Sequence, residues 1–329
     1  MKCQVSFPRL GHTGNQSIDV GPSNAWVIPQ DRESRSRGAS SKNSIKGKDT
    51  PIQPRYDVVY LRDARGWYYR YSHLSSFADS IVPGRYLTRG EPIGLIGKEG
   101  GSGGWSHLHF EIKARQPSGK WGTQDGYAFL WESYHRQYKP ELVAVARPHH
   151  LVRTGESVEL NAARSWSKDG GPLGYQCTLT NGTTVNSART AQKYDRAGSY
   201  SEVLEVRNRH GQVAYDFATV QVHDSQHPAI TPPAIHANYH PTLGIKPGDT
   251  VTFKVRSFGA IQPEETWDFG DGTPAVKVHS DRNANTHDPN GYAVTTHRFA
   301  KQGSYLVRVE RTSPGYPAIG HLHVVVDGE

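Results

Sequence analysis

The sequence predicts an all-β chain, and three observations carry that prediction. Glycine (34) and proline (21) punctuate it throughout, tyrosine (17) and tryptophan (7) are plentiful, and the only methionine is Met1, the composition of strands joined by tight turns. Apolar residues recur at every second position in short runs bounded by turn residues, which is the period of a half-buried strand. A Gly-Ser-Tyr followed by alternating apolar residues occurs twice, in RAGSYSEVLEV and in KQGSYLVRVER, which marks a tandem repeat. Little helix is expected. At 329 residues the chain has room for two or three units of the usual ~100–200 residues.

Taken in order, the elements fall into a regular text from Tyr56 onward. YDVVYLRDARGWYYRYSHLSSF reads as two strands joined by RDARG, with Gly66 available for the positive φ that such a hairpin turn requires. IVPGRYLTRGEPIGLIGKEGGSGGWSHLHFEI follows, short β segments alternating with glycine turns in the manner of a small barrel or sandwich. Ahead of these, residues 31–55 carry seven basic and three acidic side chains and almost no apolar ones. That stretch reads either as a solvated loop or as a flap that grips an anionic polymer over a groove.

A second pattern begins at KPELVAVARPHHLVRTGESVEL and closes with RAGSYSEVLEVRNRHGQVAYDFATVQVHD. SQHPAITPPAIHANYHPTLGIKPGD reads as a stiff, extended connector. The pattern then restarts through DTVTFKV, EETWDFGDGTPAV, THRFAKQGSYLVRVE and HLHVVVDG. The expected boundaries are a first domain over 1–140, a sandwich over 141–224, a linker over 225–247 and a second sandwich over 248–329.

The candidate chemistry sits in WSHLHFEIKA. Side chains two apart in a strand share a face, so His107, His109 and Glu111 point one way and Leu108, Phe110 and Ile112 the other. By the same alternation Tyr69, Tyr71 and His73 share a face upstream. His321 and His323 repeat the His-Leu-His text without such company, and are expected on an exposed edge of a sandwich strand.

From Asp57 to Ile112 the order Tyr-x-His-Leu-Ser, then a glycine-patterned segment, then Gly-Gly-x-x-His-Leu-His-Phe-Glu resembles the lysostaphin-like murein endopeptidases, zinc hydrolases of bacterial cell-wall peptides. The resemblance implies an antiparallel β-sheet peptidase domain in which His109 binds Zn2+ together with His12 and Asp19 from GHTGNQSIDV. The commonest family spacing, His-x-x-x-Asp, puts Asn15 in the histidine slot, so His12 serves only with a longer gap. The resemblance further implies that His73 and His107 stay off the metal, moving a proton and stabilising the tetrahedral intermediate. Such a zinc lowers the pKa of its water to ~7, near the ~6.5 of an ordinary imidazole. Glu111 is expected to orient an imidazole as an acceptor behind the ligand. WDFGDGTPAV with HRFAKQGSYLVRV resembles a polycystic-kidney-disease (PKD) repeat, an immunoglobulin-like β-sandwich, and the preceding sandwich resembles one less closely.

The formal charge of +7 favours anionic polymers as partners. Nucleic acid is not expected, because the chain carries no helix-turn-helix, finger or RNA-recognition signature. No apolar stretch approaches the ~18 residues of a membrane span. The resemblance implies a cell-envelope or extracellular protein, although no signal peptide is visible in this chain. Two functions follow: a zinc endopeptidase of cell-wall peptide with the sandwiches as spacers or glycan contacts, or a metal-free, catalytically degenerate relative that binds or scaffolds in the envelope.

Overall fold

The structure, a computed structural model, describes residues 24–28, 51–102, 106–146, 148–259, 264–280, 291–311 and 315–328. Its described residues fall into two compact units that meet in sequence between Lys139 and Pro140.

The first unit contains β1 (Asn24–Val27), β2 (Val59–Arg62), β3 (Tyr68–Ser72), β4 (Leu74–Phe77), β5 (Tyr86–Thr88), β6 (Gly94–Ile96), β7 (His109–Arg115), β8 (Trp121–Gln124) and α1 (Tyr127–Tyr138). Six strands form one antiparallel sheet in the order β5-β1-β2-β3-β7-β8, while β4 and β6 pair separately. The β2–β3 turn has Gly66 at φ 83°, as its sequence requires. One face of the sheet is apolar because every second residue is: Val59, Leu61, Tyr69, Tyr71, Phe110 and Ile112 form a buried cluster with Leu130 of α1. The register Tyr69↔Ile112 and Tyr71↔Phe110 places these side chains across from one another, and a one-residue slip would turn all of them to solvent.

The second unit begins with β9 (Leu142–Val143), β10 (His150–Arg153), β11 (Ser157–Asn161), β12 (Trp166–Ser167), β13 (Gly174–Thr178), β14 (Thr184–Val185), β15 (Arg189–Lys193), β16 (Gly198–Arg207) and β17 (Val213–His223). It continues with β18 (Ala234–His240), β19 (Val251–Phe258), β20 (Glu264–Asp268), β21 (Val276–His279), β22 (Ala293–His297), β23 (Gly303–Arg311) and β24 (Ala318–Val326). Two cores mark two sandwiches. Leu160, Cys177, Leu204, Val206 and Val220 fill the first, and Phe253, Trp267, Phe269, Val307 and Val309 the second. The paired Gly-Ser-Tyr stretches open equivalent strands, β16 and β23. In each, the tyrosine hydroxyl donates to a carbonyl four residues upstream, Tyr200 to Arg196 at 2.8 Å and Tyr305 to Lys301 at 2.7 Å, a corner typical of such sandwiches.

Two expectations change. Within the proline-rich connector residues 234–240 form β18, paired with β19 over seven residues. His321 and His323 do not lie on an edge: β24 pairs with β23 on one side and with β16, at Ser199↔Ala318, on the other. His321 stacks on Phe217, with ring centroids 5.6 Å apart, and His323 packs against Tyr215 at 5.0 Å. The alternation into VVV reads the same for a central and an edge strand, so only the tertiary pairing decides.

Candidate functional site

The site is built where three segments of the first unit meet. β7 carries His109 and Glu111 on the face opposite Phe110 and Ile112, as the alternation requires. His107 sits just before the strand, its backbone N–H donating to the Gly97 carbonyl at 3.2 Å.

His73 reaches the same place by leaving its strand. Continued alternation from Tyr69 and Tyr71 would direct it to the apolar face, but it lies one residue beyond β3 with φ of 69°. The grouping of His73 with the two tyrosines is therefore corrected. A left-handed backbone costs a histidine about 1 kcal/mol or more and persists only where the surroundings impose it. Here they do: the His73 N–H donates to Asp57 Oδ2 at 3.1 Å, and the Gly97 N–H donates to the His73 carbonyl at 2.8 Å. The ring centroid of His73 then lies 4.7 Å from that of His107 and 5.8 Å from that of His109.

The tautomer of His73 follows from its partners. Nδ1 lies 2.7 Å from the Glu99 carbonyl and 3.5 Å from Asp57 Oδ2, both acceptors only, so Nδ1 carries the proton. In the neutral ring Nε2 then bears the lone pair, the form of imidazole that can take a proton. Asp57 itself is fully buried and paired with Arg55, whose Nε donates to Oδ1 at 2.8 Å. Burial alone would raise its carboxyl pKa, but hydrogen bonds from His73 and Arg55 outweigh that and hold it well below the usual carboxylate range.

Asp57, Arg55 and the Glu99 carbonyl were not singled out from the sequence. The available signal was an acidic residue directly ahead of the apolar run Val58-Val59-Tyr60, since a carboxylate buried there needs a partner.

Glu111 faces His109, its Oε2 3.8 Å from Nε2. Arg70, its cross-strand neighbour, donates to the same carboxylate at 3.2 Å, and Lys113 Nζ lies 3.6 Å from Oε1. Burial raises the Glu111 pKa, yet His109, Lys113 and Arg70 together bring it down to about 2. With Nε2 turned to this carboxylate, His109 has Nδ1 for another partner, the arrangement usual for a metal-binding histidine.

Zinc implied by the resemblance needs three protein ligands around an open position. His109 with Glu111 behind it fits one of them. Among the described residues no three His, Cys, Asp or Glu side chains form a group that could hold a metal. The other two expected ligands, His12 and Asp19, and the alternative Asn15, lie outside the described residues, as do most of residues 31–55. The structure thus brings together His73, His107, His109 and Glu111. Of the three ligands the resemblance implies, His109 alone lies among the described residues.

Residues 49–120 match peptidase family M23, and residues 139–222 and 236–315 each match the PKD domain. An M23 peptidase-family domain is therefore followed by two PKD-family domains. No curated protein matches the sequence. Among solved structures, the D0-D1 domain of intimin is 16% identical with a TM-score of 0.29, covering 56% of this chain and 97% of its own. A chimeric titin Z1Z2-Z1Z2 tandem is 16% identical (TM-score 0.22; 57% and 97%). The Bacteroides ovatus SGBP-B in complex with mixed-linkage heptasaccharide is 13% identical (TM-score 0.22; 57% and 47%). Similarity at that level says nothing about function. Among the described residues no helix is long and apolar enough to cross a membrane.

Proposed function

We propose, from the premise that an M23 peptidase-family domain precedes two PKD-family domains in this chain, that it acts in the cell envelope as a binding or scaffold protein. In this reading the M23-family domain engages cell-wall polymer without completing a zinc site, and the PKD domains serve as spacers or further contacts. One observation carries the reading: the stretch matched to the peptidase family, 49–120, contains one of the three expected ligands, His109. Asn15, four residues before Asp19, points the same way, because a carboxamide is a poor zinc ligand beside an imidazole.

A second reading, a zinc endopeptidase of cell-wall peptide, is favoured by His73. A buried imidazole held in a strained backbone with its tautomer fixed is the type of feature that collects at catalytic sites. If His12 and Asp19 join His109, bound zinc would supply an activated water. Nε2 of His73 would then accept its proton, and His107 would lie beside the developing oxyanion.

Sedimentation with purified cell-wall sacculi separates the two. The binding reading expects the protein to co-sediment equally with and without a chelator and to release no soluble peptide. Zinc-dependent peptide release that disappears in His73→Ala would overturn it.

A further inference from the structure

The face of the first unit's sheet that bears His109 and Glu111 extends away from the histidines as a row of alternating rings and cations. Tyr86, Trp26, Arg62 and Tyr68 are consecutive cross-strand neighbours on β5, β1, β2 and β3, through Tyr86↔Trp26, Trp26↔Arg62 and Arg62↔Tyr68. The row continues on β7 and β8 through Tyr68↔Lys113 and Arg115↔Trp121. Each member on the first four strands adjoins a core residue in sequence, Leu87, Ala25, Leu61 or Tyr69, so all four project from the face opposite the core. Five inter-strand steps of about 4.8 Å make the row about 24 Å long.

Trp26 and Tyr86 are 41% and 46% exposed, unusual for rings this large in contact with each other, at a centroid separation of 5.0 Å. Beyond them Arg62 lies 5.7 Å from the Tyr68 ring and Arg115 4.7 Å from that of Trp121, while Tyr68 and Trp121 meet edge to face at 5.2 Å. Glu111 is the one carboxylate on β7, with Arg70 and Lys113 as its partners. By formal charge the four cations Arg62, Arg70, Lys113 and Arg115 outnumber it.

We infer that this row binds an acidic polysaccharide strand, with sugar rings lying against Trp26 and Tyr86 and the polymer's carboxylates paired with Arg62 and Arg115. The charge of the face is complementary to such a polymer. A pyranose offers an apolar C–H face to an aromatic ring and hydroxyls at its rim, matching rings that are half exposed. Guanidinium groups take carboxylates through two parallel N–H donors. Single-stranded nucleic acid would need open ring faces on which bases stack. Here guanidiniums already cover two of the rings and the aromatic pairs meet edge to face, which favours the glycan. The inference deepens the envelope-binding reading and rests on it for the source of the polymer.

The test is affinity electrophoresis of the full chain through gels containing polygalacturonate, with dextran as an uncharged polymer and oligothymidylate as a competing strand. Polygalacturonate should retard the protein and dextran should not. Arg62→Gln and Trp26→Ala, both at exposed positions, should each weaken retardation about tenfold, the loss expected of one charge-assisted contact for Arg62 and of one ring contact for Trp26. Unchanged retardation in both variants, no retardation of the wild type, or oligothymidylate binding as tight as polygalacturonate and lost in the same variants would overturn the inference. If both variants lose polygalacturonate while the wild type fails to bind sacculi, the row stands and the envelope reading falls. Sacculus binding that persists alongside unchanged retardation has the opposite meaning.

Discussion

Acid should loosen the second unit through His321. Its ring stacks on Phe217, and its Nδ1 is buried without a hydrogen-bond partner. Burial, then the neighbouring Arg308 guanidinium, lower its pKa to about 4, partly opposed by a hydrogen bond with the Ser201 backbone. His323 is lowered by burial as well, beside Tyr215 and the Ser304 hydroxyl. In the unfolded chain His321 titrates near its ordinary ~6.5. Between the two values the unfolded state binds more protons than the folded one, so stability falls as the pH falls through that window. The full displacement is worth about 3 kcal/mol once the pH is below 4. His321→Phe keeps a ring against Phe217 and removes the titration. Urea denaturation at pH 7.5 and pH 4.5 should show the wild type losing about 2 kcal/mol more than His321→Phe between the two pH values. Identical losses in the two proteins would refute the placement of this imidazole in a desolvated junction.

Two further perturbations read the framework of each unit. Asp57→Ala removes the acceptor of Arg55 and of the His73 N–H, and thermal unfolding should report a loss of about 3 kcal/mol; a change under 1 kcal/mol would mean that the pair does not hold His73. Gly270 has φ of 72°, and a Cβ there would sit 2.6 Å from the Leu306 carbonyl. Gly270→Ala should therefore cost about 2 kcal/mol or more in urea denaturation, whereas a neutral result would contradict the close approach of the turn after β20 to β23.

What the sequence disclosed was local and periodic. The alternation in HLHFEI placed His109 and Glu111 opposite Phe110 and Ile112, and the two Gly-Ser-Tyr stretches marked equivalent strands of two sandwiches. Less legible was whatever depends on how separate segments meet. The left-handed backbone at His73 is imposed by hydrogen bonds to Asp57 and from Gly97, neither of which strand periodicity reveals. The Arg70–Glu111 pair needs the register of β3 on β7. His321 and His323 read as edge residues because alternation is blind to a strand's neighbours. The row from Tyr86 to Trp121 is likewise invisible in one dimension, since its members come from six strands that only the sheet order aligns.

Zinc content of the untagged full-length protein, measured after dialysis against trace metal and repeated for His109→Ala, tests the central claim most directly. A scaffold with a single ligand predicts far less than one zinc per chain and no difference between the two proteins. One zinc per chain in the wild type, lost on removing the His109 imidazole, would contradict it and return the chain to the hydrolases.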